Sequence, residues 1–205
     1  IRLAQQLAQA KPGGSKENVM WEVVVTSNAP VVTVVSPNGG ESWTASGTET
    51  ISWNASDADG DPLSYNVGYS ADGGATWTTM TANTTATSYV VDTGTIPGSN
   101  NAMVRVTATD GVNTASDTSN ASFTVAEKGP EAKITAPGVG AMFFIGDMVT
   151  LAGQGEDLED GLLPAGSLAW ASDVDGPLGT GRSLQTNALS LGTHQITLRV
   201  TDSDS

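Results

Sequence analysis

Apolar and polar residues alternate along this chain in short bursts rather than in helical periods. Leu63, Tyr65, Val67 and Tyr69 alternate with Ser64, Asn66, Gly68 and Ser70, the period of two expected of a half-buried strand. Thr50–Ala55 repeats the pattern, with Ile51, Trp53 and Ala55 on one face and Thr50, Ser52 and Asn54 on the other. Val31–Val35, Trp77–Met80, Ser88–Val91, Ala102–Thr109 and Ser122–Val125 bring the predicted strands to seven. Turn-forming Gly, Pro, Asn and Asp residues separate them. Seven short strands at this spacing predict an antiparallel β-sandwich of immunoglobulin-like size over residues 30–126.

The pattern then recurs. Ser36-Pro37 returns as Ala136-Pro137, Thr50-Ile51-Ser52 as Thr150-Leu151-Ala152, and Asp57 and Asp59 as Asp157 and Glu159, all 100 residues on. Val104-Arg105-Val106-Thr107 returns as Leu198-Arg199-Val200-Thr201. Trp170 falls roughly at the place of Tyr65, and Ile196, Leu198 and Val200 face a second core. Self-similarity at this period predicts an all-β chain of two tandem sandwiches. The second spans 127–205, begins after the short linker Glu127–Pro130, and stops where its last strand is due. Residues 1–29 read as the tail of a preceding domain or an orphan hairpin, with Val19, Trp21, Val23 and Val25 on one strand face. The expectation is a piece of a longer array. Alternatively, the missing strand is exchanged with a neighbouring copy, Val19–Val25 being the donor.

Composition narrows the partners. Eight Lys and Arg stand against 22 Asp and Glu, for a formal charge of −14. Such a chain repels phosphate backbones and anionic lipid heads, so neither nucleic acid binding nor membrane insertion is expected. Cysteine is absent, which excludes disulfides, thiol catalysis and cysteine-bound zinc.

The charge is concentrated in loops. Asp57-Ala58-Asp59-Gly60-Asp61-Pro62 follows the second main strand, and Glu156-Asp157-Leu158-Glu159-Asp160-Gly161 takes the same place in the second half. In a seven-stranded sandwich this loop shares a pole with the loop between the last two strands. Asp110 should therefore lie near Asp57, Asp59 and Asp61, and Asp202 and Asp204 near Glu156, Asp157, Glu159 and Asp160. Calcium takes six to eight oxygens, mostly carboxylate and carbonyl, so these residues are the candidate metal ligands. The competing reading is that Asp and Gly simply suit turns.

Other chemistry is sparse. Ser70-Ala71-Asp72-Gly73-Gly74-Ala75-Thr76-Trp77 fits the Asp-box pattern and resembles the hairpin motif repeated in sialidase propellers. It occurs once, and is read as a turn in which Asp72 accepts backbone N–H groups and Trp77 packs over them. Trp43 and Trp77 are the candidate exposed platforms for a sugar ring, while Trp53, Tyr65, Tyr89 and Trp170 sit on core-facing positions. The single His194 has no partner that sequence suggests, so no catalytic residue is assigned.

Ser36-Pro37-Asn38-Gly39-Gly40-Glu41-Ser42-Trp43, Ile51-Ser52-Trp53-Asn54, the acidic loop and the Asp-box hairpin together resemble bacterial and archaeal Ig-like modules. That broad group includes fibronectin type III, PKD and cadherin-like repeats. Trp170-Ala171-Ser172-Asp173-Val174-Asp175-Gly176 resembles the same group, although the Trp-Asp-Phe-Gly-Asp core of PKD repeats is missing. The resemblance implies non-catalytic modules of secreted or cell-surface proteins, structural or adhesive, and the acidic loops add the expectation that calcium stiffens them at their poles. Their partners would be other modules of the parent chain and a surface glycan or protein. The alternative it implies is an accessory carbohydrate- or substrate-binding module of a secreted hydrolase.

Overall fold

The alternating stretches form the strands their period requires in a computed structural model that describes residues 27–203. In chain order these are β1 (Val31–Ser36), β2 (Ser42–Trp43), β3 (Thr48–Ser56), β4 (Ser64–Ser70), β5 (Thr78–Thr84), β6 (Ser88–Asp92), β7 (Ser99–Thr109), β8 (Thr114–Thr118) and β9 (Phe123–Val125). The second half supplies β10 (Glu131–Ala136), β11 (Val149–Asp157), β12 (Gly161–Leu162), β13 (Leu168–Ser172), β14 (Gly176–Thr180), β15 (Ser183–Thr186) and β16 (Ile196–Val200). Contacts divide the chain into two compact units. Among the described residues, the first holds 27–43, Thr48–Val91 and Asn100–Thr124, and the second holds Thr44–Gly47, Asp92–Ser99 and 125–203.

In the first half one sheet has the order β1-β3-β6, and the other β2-β9-β7-β4-β5, with β8 also pairing β7. The resolved ladders β1/β3, β4/β5, β4/β7 and β7/β8 are antiparallel. Val32, Val34, Ile51, Trp53 and Val91 point inward from the first sheet, and Tyr65, Val67, Tyr69, Val104, Val106 and Phe123 from the second. This is the alternation read from the sequence, converted into two apolar inner faces. Trp53 meets Tyr65 edge-on at 5.4 Å between ring centroids, a favoured aromatic geometry.

All seven predicted strands are present, and β2 and β8 are additional. The last strand is two pieces, β8 and β9, because the ladder is broken around Ser119. There Ser119 N–H donates to Val104 O at 2.9 Å, and Val104 N–H donates to Ser119 Oγ at 2.8 Å. A buried serine thus replaces a strand partner and satisfies both backbone groups of Val104. The β1 register shifts between Val34 and Ser36, and the Val34 N–H donates to Asp117 Oδ2 of β8 at 2.7 Å.

The second half repeats the plan. β10, β12 and β15 pair with β11, and β14-β13-β16 form the facing sheet. The register shift in β10, between Ile134 and Ala136, matches that of β1, and Ser36–Pro37 and Ala136–Pro137 are both cis. Val149, Leu151, Leu168, Trp170 and Leu198 form the core. Trp170 pairs in register with Leu198, as Tyr69 pairs with Val104. Since Leu198 is the counterpart of Val104, Trp170 occupies the place of Tyr69, two residues from the predicted match with Tyr65. Room for the indole comes from β11. A Cβ on Gly153 would lie 3.1 Å from the Trp170 ring and 2.6 Å from a Leu198 methyl, whereas the residue 100 positions earlier is Trp53.

Candidate cation site in the acidic loops

The loop after β3 folds around Asp57. Its Oδ1 accepts the N–H of Asp59 at 2.8 Å and of Asp61 at 3.3 Å. Asp57 O accepts the Gly60 N–H at 3.3 Å, and Gly60 turns with φ +76°, which glycine adopts without a steric cost. This wrap brings one carboxylate oxygen from each of Asp57, Asp59 and Asp61 within 4.8 Å of one another. Among the described residues this is the one group of three metal-capable side chains so close together. Asp57 Oδ2 is buried and has no hydrogen-bond partner, which is costly for an acceptor unless something positive meets it.

The incoming chain is tied to the same pole. Asn28 donates to both Asp59 oxygens, from its N–H at 2.7 Å and its Nδ2 at 2.9 Å. Its neighbour Ser27 donates to Asp110 Oδ2 at 3.2 Å. Asp110 therefore lies on the adjoining loop, outside the Asp57–Asp59–Asp61 triplet. Its own oxygens are engaged by the N–H groups of Asn113 and Val112 and by Asn113 Nδ2. Those bonds, the Asn113 backbone N–H foremost, hold its carboxyl down at about 2.

The second acidic loop repeats the device. Asp157 Oδ1 accepts the N–H of Glu159 at 2.7 Å and of Asp160 at 3.0 Å, and Asp157 Oδ2 is again buried without a partner. Glu159 joins it: one oxygen accepts the Gly98 N–H, and the other is buried and unpartnered. Burial, reinforced by Asp157, raises the Glu159 carboxyl above its ordinary range. Burial also lowers the Lys128 ammonium, although Glu159 and Asp157 pull the other way. Asp160 Oδ2 accepts the N–H and hydroxyl of Ser203. Asp160 and Asp202 line an open depression of about 340 Å³ with Leu163, Pro164, Ser167 and Ser203. Glu156 is set apart from this pole cluster: it is exposed on β11, where it accepts from Gln154 Nε2 at 3.2 Å. Asp204, and the strand expected at Val19–Val25, lie outside the described residues.

The two aromatic candidates are placed differently from the sequence expectation. Trp43 is 5 % exposed and packs on Phe123 at 4.7 Å between centroids. It is a core residue because β2 pairs with β9, a pairing no local pattern announces. Trp77 is half-buried over the Asp-box turn. Its Nε1–H donates to Gly74 O at 2.9 Å, and the Arg105 guanidinium lies 4.3 Å from the ring centroid. That turn is built as read: Asp72 accepts the Thr76 hydroxyl at 2.6 Å, the Thr76 N–H at 2.8 Å and the Ser70 hydroxyl at 2.7 Å.

Sequence reasoning missed the surroundings of His194. Its Nδ1 lies 2.9 Å from Ser172 Oγ and 3.4 Å from Asp175 Oδ2, and its Nε2 lies 2.8 Å from Ser190 O. A Ser-His-Asp relay needs serine and carboxylate on opposite ring nitrogens. Here both face Nδ1 and a carbonyl takes Nε2, so the histidine laces two turns together. The signal was the spacing Ser172-x-x-Asp175 ahead of His194, legible only once β13 and β16 are known to be neighbours.

The strand order, β1-β3-β6 in one sheet and β2-β9-β7-β4-β5 in the other, is that of an Ig-like antiparallel β-sandwich. No protein-family model matches the chain, and no curated protein sequence matches it. Among solved structures it is similar to the fibronectin(III)-like modules of Clostridium thermocellum CbhA, at 21% identity over 85% of this chain and 87% of that one, with a TM-score of 0.33. It is also similar to the N-terminal four Ig domains of Dscam1 isoform 6.9, at 14% identity over 86% of this chain and 43% of that one, with a TM-score of 0.39. No helix of the described residues is long and apolar enough to cross a membrane.

Proposed function

We propose that this chain is a pair of non-catalytic extracellular modules, structural or adhesive, whose acidic loops bind calcium at the module poles. The observation that carries this reading is Asp57 Oδ2, a buried acceptor without a partner inside a triplet of converging carboxylates. Calcium is met by hard oxygen donors at about 2.3–2.6 Å in flexible geometry, and this loop offers carboxylates on a backbone already wrapped around Asp57. The ion would tie the Asp57–Asp61 loop to the entering chain at Asn28, since Asp59 touches both. Asp157 and Glu159, each with one buried oxygen that lacks a hydrogen-bond partner, support the same chemistry in the second unit. The partners under this reading are further modules of the parent chain and a surface glycan or protein. The accessory-module alternative is left with Trp77 as its platform, a ring already covered on one side by Arg105.

The test is calorimetry of the chain with calcium and with chelator. A ligand that binds the folded form at 100 times its Kd stabilises by about 2.7 kcal/mol, so the melting temperature should rise with calcium and fall with chelator. Asp57→Asn should abolish the response of the first unit. Identical melting curves in calcium and chelator would remove the cation from the reading.

A further inference from the structure

The first half of the chain holds its positive charge in one place. Over residues 27–126 Arg105 is the one Lys or Arg, against two Glu and seven Asp. Among the described residues no carboxylate lies within ion-pairing distance of it. Its guanidinium instead lies 4.3 Å from the centroid of the Trp77 ring. That ring is itself fixed. Trp77 Nε1–H donates to Gly74 O at 2.9 Å, and a Cβ on Gly68 or Gly74 would come within 3.4 and 3.3 Å of the indole. Glycine at both positions lets the ring lie close against the backbone. Stacking on an aromatic ring uses the face of a guanidinium and leaves its fork of N–H donors at the edge. Arg105 is therefore oriented, half-exposed and without an anion.

We propose that the Arg105–Trp77 face of β4, β7 and β8 binds a glycan through the carboxylate of a uronic acid residue. The surroundings of Arg105 select this chemistry. Val104 and Val106 are buried, so Arg105 and Thr107 point outward between them. Their register partners are Gly68 and Asn66 on β4 and Thr118 and Ser116 on β8. The face is thus hydroxyl and amide around one cation. The neighbouring carboxylates are turned elsewhere: Asp117 holds the Val34 N–H, and Asp72 is closed on Thr76 and Ser70. A guanidinium fork takes a carboxylate by two parallel hydrogen bonds, and the hydroxyls and amide meet the hydroxyls of the same sugar. An acidic peptide brings the carboxylate without those hydroxyls. The charge of the acidic loops is screened beyond about 8 Å at physiological ionic strength. It therefore opposes a continuous polyanion more than one isolated acid sugar. The proposal gives a chemistry to the surface-glycan partner of the reading above and rests on that part of it, but not on the cation loops.

NMR titration of the isotope-labelled full chain, in chelator, tests this. The probes are a xylotriose bearing one glucuronate branch and the same oligosaccharide with its carboxylate reduced to the alcohol. Chelator keeps calcium from bridging the uronate to the acidic loops. Failure here thus leaves the calcium reading, tested by melting, untouched, and the reverse also holds. The acidic probe should shift the Trp77 indole N–H, the Arg105 Nε–H and the amides of Gly68 and Thr118, saturably. The reduced probe should bind at least about tenfold more weakly, the scale of a hydrogen bond to a charged group. Arg105→Gln should bring the acidic probe down to the affinity of the reduced one, with the spectrum away from this face unchanged. Arg105→Lys, which keeps the charge and loses the fork, should fall between. No shift at these groups, equal affinity for the two probes, or undiminished binding by Arg105→Gln overturns the proposal. Tighter binding of a tetra-aspartate peptide than of the acidic oligosaccharide would assign the face to a protein partner and overturn it too.

Discussion

Trp43→Ala separates a core tryptophan from a binding platform. The side chain is 5 % exposed, so nearly all of its surface is removed from water on folding. A tryptophan of about 200 Å², at about 25 cal/mol per Å², corresponds to roughly 5 kcal/mol of transfer free energy. Alanine retains part of this, and the tilted ring contact with Phe123 at 4.7 Å adds about 1 kcal/mol beyond area. The expected loss is about 4 kcal/mol, within the range for truncating a buried aromatic residue. For a domain of this size each kcal/mol moves the melting temperature by about 4–8 °C, so the transition of the first unit should fall by roughly 20 °C. Scanning calorimetry of the full chain reads this directly, and urea unfolding followed by far-UV circular dichroism gives the free energy without using the deleted fluorophore. Trp77→Ala is the contrast, since it removes a half-buried ring and one cation–π contact, the latter worth about 0.5–1 kcal/mol. A loss below about 1 kcal/mol for Trp43→Ala would refute the packing argument, and with it the pairing of β2 with β9.

Two further outcomes follow from contacts in the repeat and in the hairpin. Gly153→Ala places a Cβ 2.6 Å from a Leu198 methyl and 2.8 Å from Lys133 O, and should lower the stability of the second unit by about 1–3 kcal/mol in chemical denaturation; Gly138→Ala, with open space around it, should leave it unchanged. Asp72 has its carboxyl lowered from 3.8 to about 2, first by the Thr76 hydroxyl. A depressed folded value contributes stability above the unfolded value, and that contribution is lost as pH falls from about 4 through 2; acid unfolding of Asp72→Asn should therefore lack this part of the pH dependence.

Local chemistry made much of this protein legible in advance. Period-two alternation marks a strand because successive side chains point to opposite faces, and it located β1, β3, β4, β6 and β7 without any tertiary information. The 100-residue offset likewise announced the second unit, and the Asx wrap at Asp57 and Asp157 depends only on neighbours in the chain. Pairings between distant segments were not legible. Trp43 looks like an exposed aromatic until β9 brings Phe123 against it. Ser119 looks like a loop serine until it takes over the backbone groups of Val104. Gly153 looks like a weak point in a strand until Trp170 fills the space from the facing sheet. The sequence by itself determined which faces are apolar and where the chain turns. The tertiary structure decided which of those faces meet, because burial belongs to pairs of surfaces and not to any segment alone.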